Sequence, residues 1–176
     1  RSSVLMGIES LALDAEGEDS AVADALGGIN VVISPTSKTI INLFDIEIER
    51  TKDEITGRER PILNVENKIE DVTQALLTMA RGSTRSEEVN ELTKQIIAEA
   101  VAEEYTKAGI TSDPNSLYEA SNGGIRRENL FKEKKQMPTI GSWYKTLIKK
   151  AKENTDPNYQ FHYSYLLKVM KQYVRE

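Results

Sequence analysis

Cysteine is absent from the 176 residues. That excludes a disulfide framework and a thiolate metal site, and it fits a reducing compartment. Histidine is nearly absent: His162 stands alone, so a centre built from several histidines is excluded. No apolar run approaches the roughly 20 residues needed to span a bilayer, and no signal peptide is seen. Two nucleotide motifs are missing. There is no G-x-x-x-x-G-K-[ST] phosphate loop, and no apolar strand ends in the Asp-Glu pair of a Walker B segment. Without a backbone cradle for a triphosphate, these residues are expected not to hydrolyse ATP alone. The chain opens at Arg1-Ser2-Ser3 rather than methionine and reads as a piece of something longer.

What is present is enough to fold. With 39% hydrophobic and 29% charged residues the chain can bury a core, in one domain or one domain plus an appendage. The net charge of −5 argues against nucleic acid or an anionic membrane as the main partner, and leaves a local basic patch open.

The first fifty residues read as α/β. Val4 to Leu13 is apolar with little alternation, as in a strand covered on both faces. It stops at a cluster of carboxylates: Asp14, Glu16, Glu18 and Asp19. Ser20 to Leu26 is a short alanine-rich helix, and Gly27-Gly28 suits its stop. Ile29 to Ile33 is β-branched and predicts a second strand, parallel to the first because a helix separates them. Ile46 and Ile48 alternate with Asp45, Glu47 and Glu49, which suggests a short half-exposed strand or arm. Thr51 to Arg60 is charged and reads as a join, giving an α/β segment over 1–50 and a helical subdomain over 51–176.

Beyond Pro61 the period is helical. Val65, Ile69, Val72, Leu76 and Met79 form one stripe, with Pro61 at the helix start and Gly82 at its end. Thr84-Arg85-Ser86-Glu87 matches a capping box for the next helix. Val89, Leu92, Ile96, Ala100 and Val101 are its stripe and Gly109 its end, so the pair predicts an antiparallel hairpin. Residues 110–137 are turn-rich, with a basic run of Arg126, Arg127, Lys132, Lys134 and Lys135. Ile140, Trp143, Tyr144, Leu147, Ile148 and Ala151 mark a third helix. Asp156-Pro157 opens a last one toward Val174, with Tyr159, Tyr163, Leu166, Met170 and Tyr173 on one side.

Crowded carboxylates could raise one pKa or hold a hydrated metal ion, and could equally be a solvated loop at a helix N-terminus. His162 has no partner serine or cysteine for a catalytic dyad and reads as a core or interface histidine. Trp143, Tyr144, Tyr163 and Tyr173 are core residues by default, and are also what a helical interaction face would use.

Several stretches carry a family resemblance. Leu13-Asp14-Ala15-Glu16-Gly17-Glu18 resembles the "D-P-E-G-E-Y" segment of the VirB4-like ATPases of type IV secretion and conjugative transfer. Leu26-Gly27-Gly28 with Ile33-Ser34 resembles that family's "lGG…I-S" stretch, and Ile41-Asn42-Leu43-Phe44-Asp45 its "I-N-P-F-D". Met137-Pro138-Thr139-Ile140-Gly141-Ser142-Trp143-Tyr144 is similar to its "M-P-T-l-s-d-l-y". The chain differs at Ala15, Asp19 and Leu43, where the family has proline, tyrosine and proline. The resemblance implies a RecA-like motor cut open, with Walker A and Walker B outside these residues. The chain would then hold an edge of the nucleotide-binding parallel sheet and the mainly helical subdomain inserted in it. It further implies an oligomeric ATPase at the cytoplasmic face of the cell membrane, peripheral at most, working with the other subunits of a secretion or conjugation channel. Asp14 and Glu16 would lie near ATP and Mg²⁺ in the full-length protein, no cofactor being expected for the fragment, and direct contact with DNA is left open.

Two other readings compete. One is a free-standing helical protein-interaction adaptor with a small α/β cap. The other is a carboxylate-based, metal-dependent hydrolase using Asp14, Glu16 and Glu18, for which no further ligands stand at convincing spacing.

Overall fold

The computed structural model describes residues 18–32, 41–52, 57–82, 89–119 and 133–174. The chain divides into two compact units, residues 1–41 and 42–176. The described part is mostly helical, and its sheet is a two-stranded antiparallel one.

In the first unit, α1 spans Ser20–Ala25. Its end is a Schellman motif: the Gly28 amide donates to Ala23 O at 2.8 Å and the Gly27 amide to Asp24 O at 3.1 Å. Gly27 takes φ +72, a left-handed conformation that glycine adopts without a Cβ penalty. Asn30 ties the following segment back, donating to Ser20 O and to Asp24 Oδ1. The strand expected over Ile29 to Ile33 is corrected for its described part: residues 29–32 form neither helix nor strand. Ile29, Val31 and Val32 are 89%, 54% and 65% exposed. β-Branched residues favour strands through packing on a pleated, half-buried surface, and no such surface covers this run among the described residues. Val4 to Leu13 lies outside the described residues.

The second unit is built on two helical hairpins. The β1 strand (Glu49–Lys52) pairs antiparallel with β2 (Glu59–Ile62), Arg50 opposite Pro61 and Thr51 opposite Arg60. The two ends of the stretch read as a join, Thr51–Lys52 and Glu59–Arg60, therefore pair as a ribbon. Pro61 belongs to β2 and does not open the first long helix. That helix, α2, spans Val65–Arg81, and Asn64 caps it by accepting from the Asn67 amide at 3.2 Å. Its buried face is Val72, Thr73, Leu76, Leu77 and Ala80, with Val65, Ile69 and Met79 at its flanks.

The next helix, α3, spans Glu91–Lys107. The predicted box at 84–87 lies outside the described residues. A capping box at Asn90 and Thr93 opens α3 instead. Its end is a second Schellman motif: the Ile110 amide donates to Tyr105 O and the Gly109 amide to Thr106 O, both at 3.0 Å, with Gly109 at φ +63. Ile110 and Tyr105, the two apolar residues such a motif brings together, are both buried. A 3-10 turn at Pro114–Leu117 follows, capped by Asp113.

Helix α4 spans Ile140–Glu153 behind a capping box of Thr139 and Ser142, and α5 spans Pro157–Met170 with Asp156 as N-cap. α3 packs on α2, α4 and α5, and α4 and α5 pack on each other. Their shared core includes Leu76, Ile96, Val101, Trp143, Leu147, Leu166 and Met170, each fully buried. Tyrosine hydroxyls tie the layers: Tyr144 donates to Leu167 O at 2.8 Å and Tyr165 to Ala80 O at 2.9 Å.

Candidate functional site

One end of the helical unit gathers residues from four distant stretches of sequence. The segment after Ile41 turns on itself, because the Asn42 side-chain oxygen accepts from the Phe44 amide at 3.2 Å. This turn drives Phe44 into the core, against Tyr105 at a ring separation of 6.3 Å. The Tyr105 hydroxyl donates to Phe44 O at 2.9 Å. Burial, with the charge of Asp45 nearby, pushes that phenol well above its usual pKa, so it stays a donor. The other end of the Asn42 amide donates to Pro138 O at 2.8 Å, and Lys134 pairs with Asp45 at 2.5 Å. Thus Ile41–Asp45 and Met137–Tyr144, two of the stretches that carry the resemblance, meet directly.

The surrounding loop is held by the same chemistry. Tyr118 forms an antiparallel bridge with Lys134, and the Lys135 amide donates to Leu117 O at 2.9 Å. The Lys135 ammonium donates to Ala108 O and Gly109 O, placing a cation at the negative end of α3. The described members of the basic run are therefore fastened to the protein, and Arg126, Arg127 and Lys132 lie outside the described residues. Beside this junction is an open cleft of about 420 Å³, lined by Ile48, Arg50, Glu59, Arg60, Pro61 and Tyr118. Arg50 and Glu59 across it are 3.7 Å apart and exposed.

A polar network joins α3 to α4 just behind the junction. Glu104 is 5% exposed and accepts from Thr146 Oγ1 at 2.6 Å and from the Lys107 ammonium at 3.2 Å. Burial alone would raise its pKa, but hydrogen bonds from Ser142, Thr146 and Lys107 outweigh it and hold the carboxyl below its ordinary value. Lys107 also pairs with Glu103 at 3.0 Å, and Glu103 with Lys150 at 3.1 Å. Glu103 is lowered chiefly by Lys107. Burial works against the charge of Lys107, and Glu103 and Glu104 more than compensate, so its pKa is raised.

The residues singled out from the sequence fall in different places. Asp14 and Glu16 lie outside the described residues. Trp143 is fully buried and Tyr163 is 3% exposed, so of the two roles their spacing allowed both take the core one within this unit. Their spacing fits either role, and the bundle supplies neighbours on that side. Tyr144 is half-buried with its hydroxyl engaged, and Tyr173 is exposed. His162 is a core histidine, its Nδ1 3.0 Å from Thr93 Oγ1 and its ring edge-on to Phe161. Asn42 and Glu104 were not singled out. For Glu104 the signal was present, since it continues the buried stripe of Ala100 and Val101 at helical spacing.

Among the described residues no cluster of histidine, aspartate and glutamate is arranged to hold a metal ion, and no helix is long and apolar enough to cross a membrane. The chain matches no protein-family model, no curated protein and no solved structure.

Proposed function

We propose that the chain is a non-catalytic part of a VirB4-like ATPase that energises type IV secretion or conjugative transfer. On this reading the first unit belongs to the edge of a RecA-like parallel sheet. The helical unit is an interaction subdomain that contacts other subunits of the channel. The full protein is an oligomer working at the cytoplasmic face of the cell membrane. ATP and Mg²⁺ serve the full-length motor, and Asp14 and Glu16 are the residues assigned to their side.

The observation that carries the reading is the contact between two of its signature stretches. Asn42 and Pro138 are far apart in sequence, and the side-chain amide of one holds the carbonyl of the other at 2.8 Å. Stretches that serve one shared task are expected to be neighbours in space. The junction also fixes the start of α4 through Thr139 and Ser142. Reading the gene on both sides is the direct test. A phosphate loop upstream and a strand ending in Asp-Glu downstream, in one frame, is the expected result. Flanks without either motif would overturn the reading and leave the free-standing helical adaptor.

A further inference from the structure

We infer that the outer face of the α4–α5 hairpin is a docking surface for single-stranded nucleic acid. The starting observation is a segregation of charge. Residues 139–174 carry six lysines against two carboxylates, Glu153 and Asp156, a net charge of +4 within a chain of −5. A local positive patch on an acidic chain attracts a polyanion where the average charge would repel it.

The fold decides where those lysines point. Trp143, Thr146 and Leu147 turn the opposite side of α4 into the core. Lys145, Lys149 and Lys152, at i, i+4 and i+7, therefore form one exposed stripe. The stripe runs about 10 Å along the axis. Lys150 is spent on Glu103. The Tyr144–Leu167 bond sets α5 beside this stripe; Lys168 is exposed on α5, and Lys171 is exposed in the 3-10 turn that follows it. Among the described residues, only Lys149 of these five has an ion-pair partner, Glu153 at 3.9 Å. Phe161, 54% exposed and seven residues before Lys168, adds an aromatic ring on the same side of α5. Cations that follow a backbone, with a ring on which a base can stack, are the combination that holds single strands without reading sequence. An anionic membrane is the poorer fit, because apart from Phe161 the apolar sides of both helices face the core, and one ring is not an insertable face.

The test is fluorescence anisotropy at low salt with a labelled oligothymidylate of about 20 nucleotides, longer than one binding site. Binding is expected to weaken linearly with the logarithm of salt concentration. Lys145→Gln/Lys149→Gln/Lys168→Gln should lower affinity at least about tenfold and flatten the salt slope by about 2, roughly 0.7 for each phosphate contact on a single strand. Phe161→Ala should cost roughly tenfold and leave the slope unchanged. The control Lys52→Gln/Lys68→Gln/Arg81→Gln removes the same charge from β1 and α2 and should change affinity less than about twofold. Circular dichroism melting identifies any variant that fails to fold, and charge reversal of Lys145 alone then replaces it. Absence of oligonucleotide binding at low salt would overturn the inference. So would equal losses in patch and control variants, tighter binding to a duplex, or binding only to phosphatidylserine vesicles.

Discussion

Replacing Glu104 with glutamine tests whether the buried carboxylate between α3 and α4 stabilises the helical unit through its charge. Glutamine keeps the volume and can still accept from Thr146. What it loses is the charge-assisted character of that bond and the attraction of Lys107. Hydrogen bonds to an ionised group contribute about 1.5–3 kcal/mol against about 1 for neutral ones, so the Thr146 bond loses about 0.5–2 kcal/mol. Lys107 has a side chain 47% exposed and retains Glu103, so its share is held below about 1 kcal/mol by solvent screening. The expected total is about 2 kcal/mol at neutral pH, read by urea unfolding followed by circular dichroism. The pH dependence supplies the sign check. The folded pKa of Glu104 lies below its unfolded value of 4.5, so the charge stabilises above that pH and its contribution disappears as pH falls through the folded pKa. The gap between wild type and Glu104→Gln should therefore be full at pH 6–7 and shrink below pH 4.5. A gap under about 0.5 kcal/mol at pH 7, or one unchanged through the acid range, would refute a role for charge.

Three smaller perturbations probe other parts of the architecture. Leu76→Ala empties a fully buried position of α2 and should cost roughly 2–5 kcal/mol in the same unfolding assay; a loss under about 1 would place Leu76 on the wrong face. Gly109→Ala forces an L-residue into φ +63 at the end of α3, with its new Cβ 3.2 Å from the movable Lys135 ammonium, and should lower stability by about 1–2 kcal/mol. An unchanged midpoint there would deny the left-handed cap. Thr139→Ala removes the side-chain cap of α4 and should cost about 1 kcal/mol, restored by Thr139→Ser; failure of serine to restore it would mean the hydroxyl is not what matters.

The helical part was legible because its signals are local. The apolar periods of α2, α3 and α4, the glycine stop at Gly109 and the Asp156-Pro157 start all reappear at the places the residues indicate. Caps and stops depend on the few residues around them, and the stripe depends only on a fixed 3.6-residue turn. The starts of α2 and α3 show the limit of that logic. Pro61 is compatible with a first helical turn and with a strand end, and pairing with Arg50 decided for the strand. The β-branched run at Ile29 shows the same limit in another form, since a strand is defined by what lies beside it.

The sequence by itself determined the helical segments, the stop at Gly109, the start at Asp156-Pro157 and the apolar stripes, because those follow from backbone geometry and from the transfer of apolar side chains out of water. It also determined the charge balance that divides residues 139–174 from the rest. Only the tertiary structure decided which polar residues share a site. Asn42 meets Pro138, Asp45 meets Lys134 and Glu104 meets Thr146 across separations in sequence that no local period encodes. It likewise decided that Trp143 and Tyr163 are interior while Lys145, Lys149 and Lys152 face solvent. A side chain's role is set by what the packed helices bring against it, and that is a property of the assembled bundle.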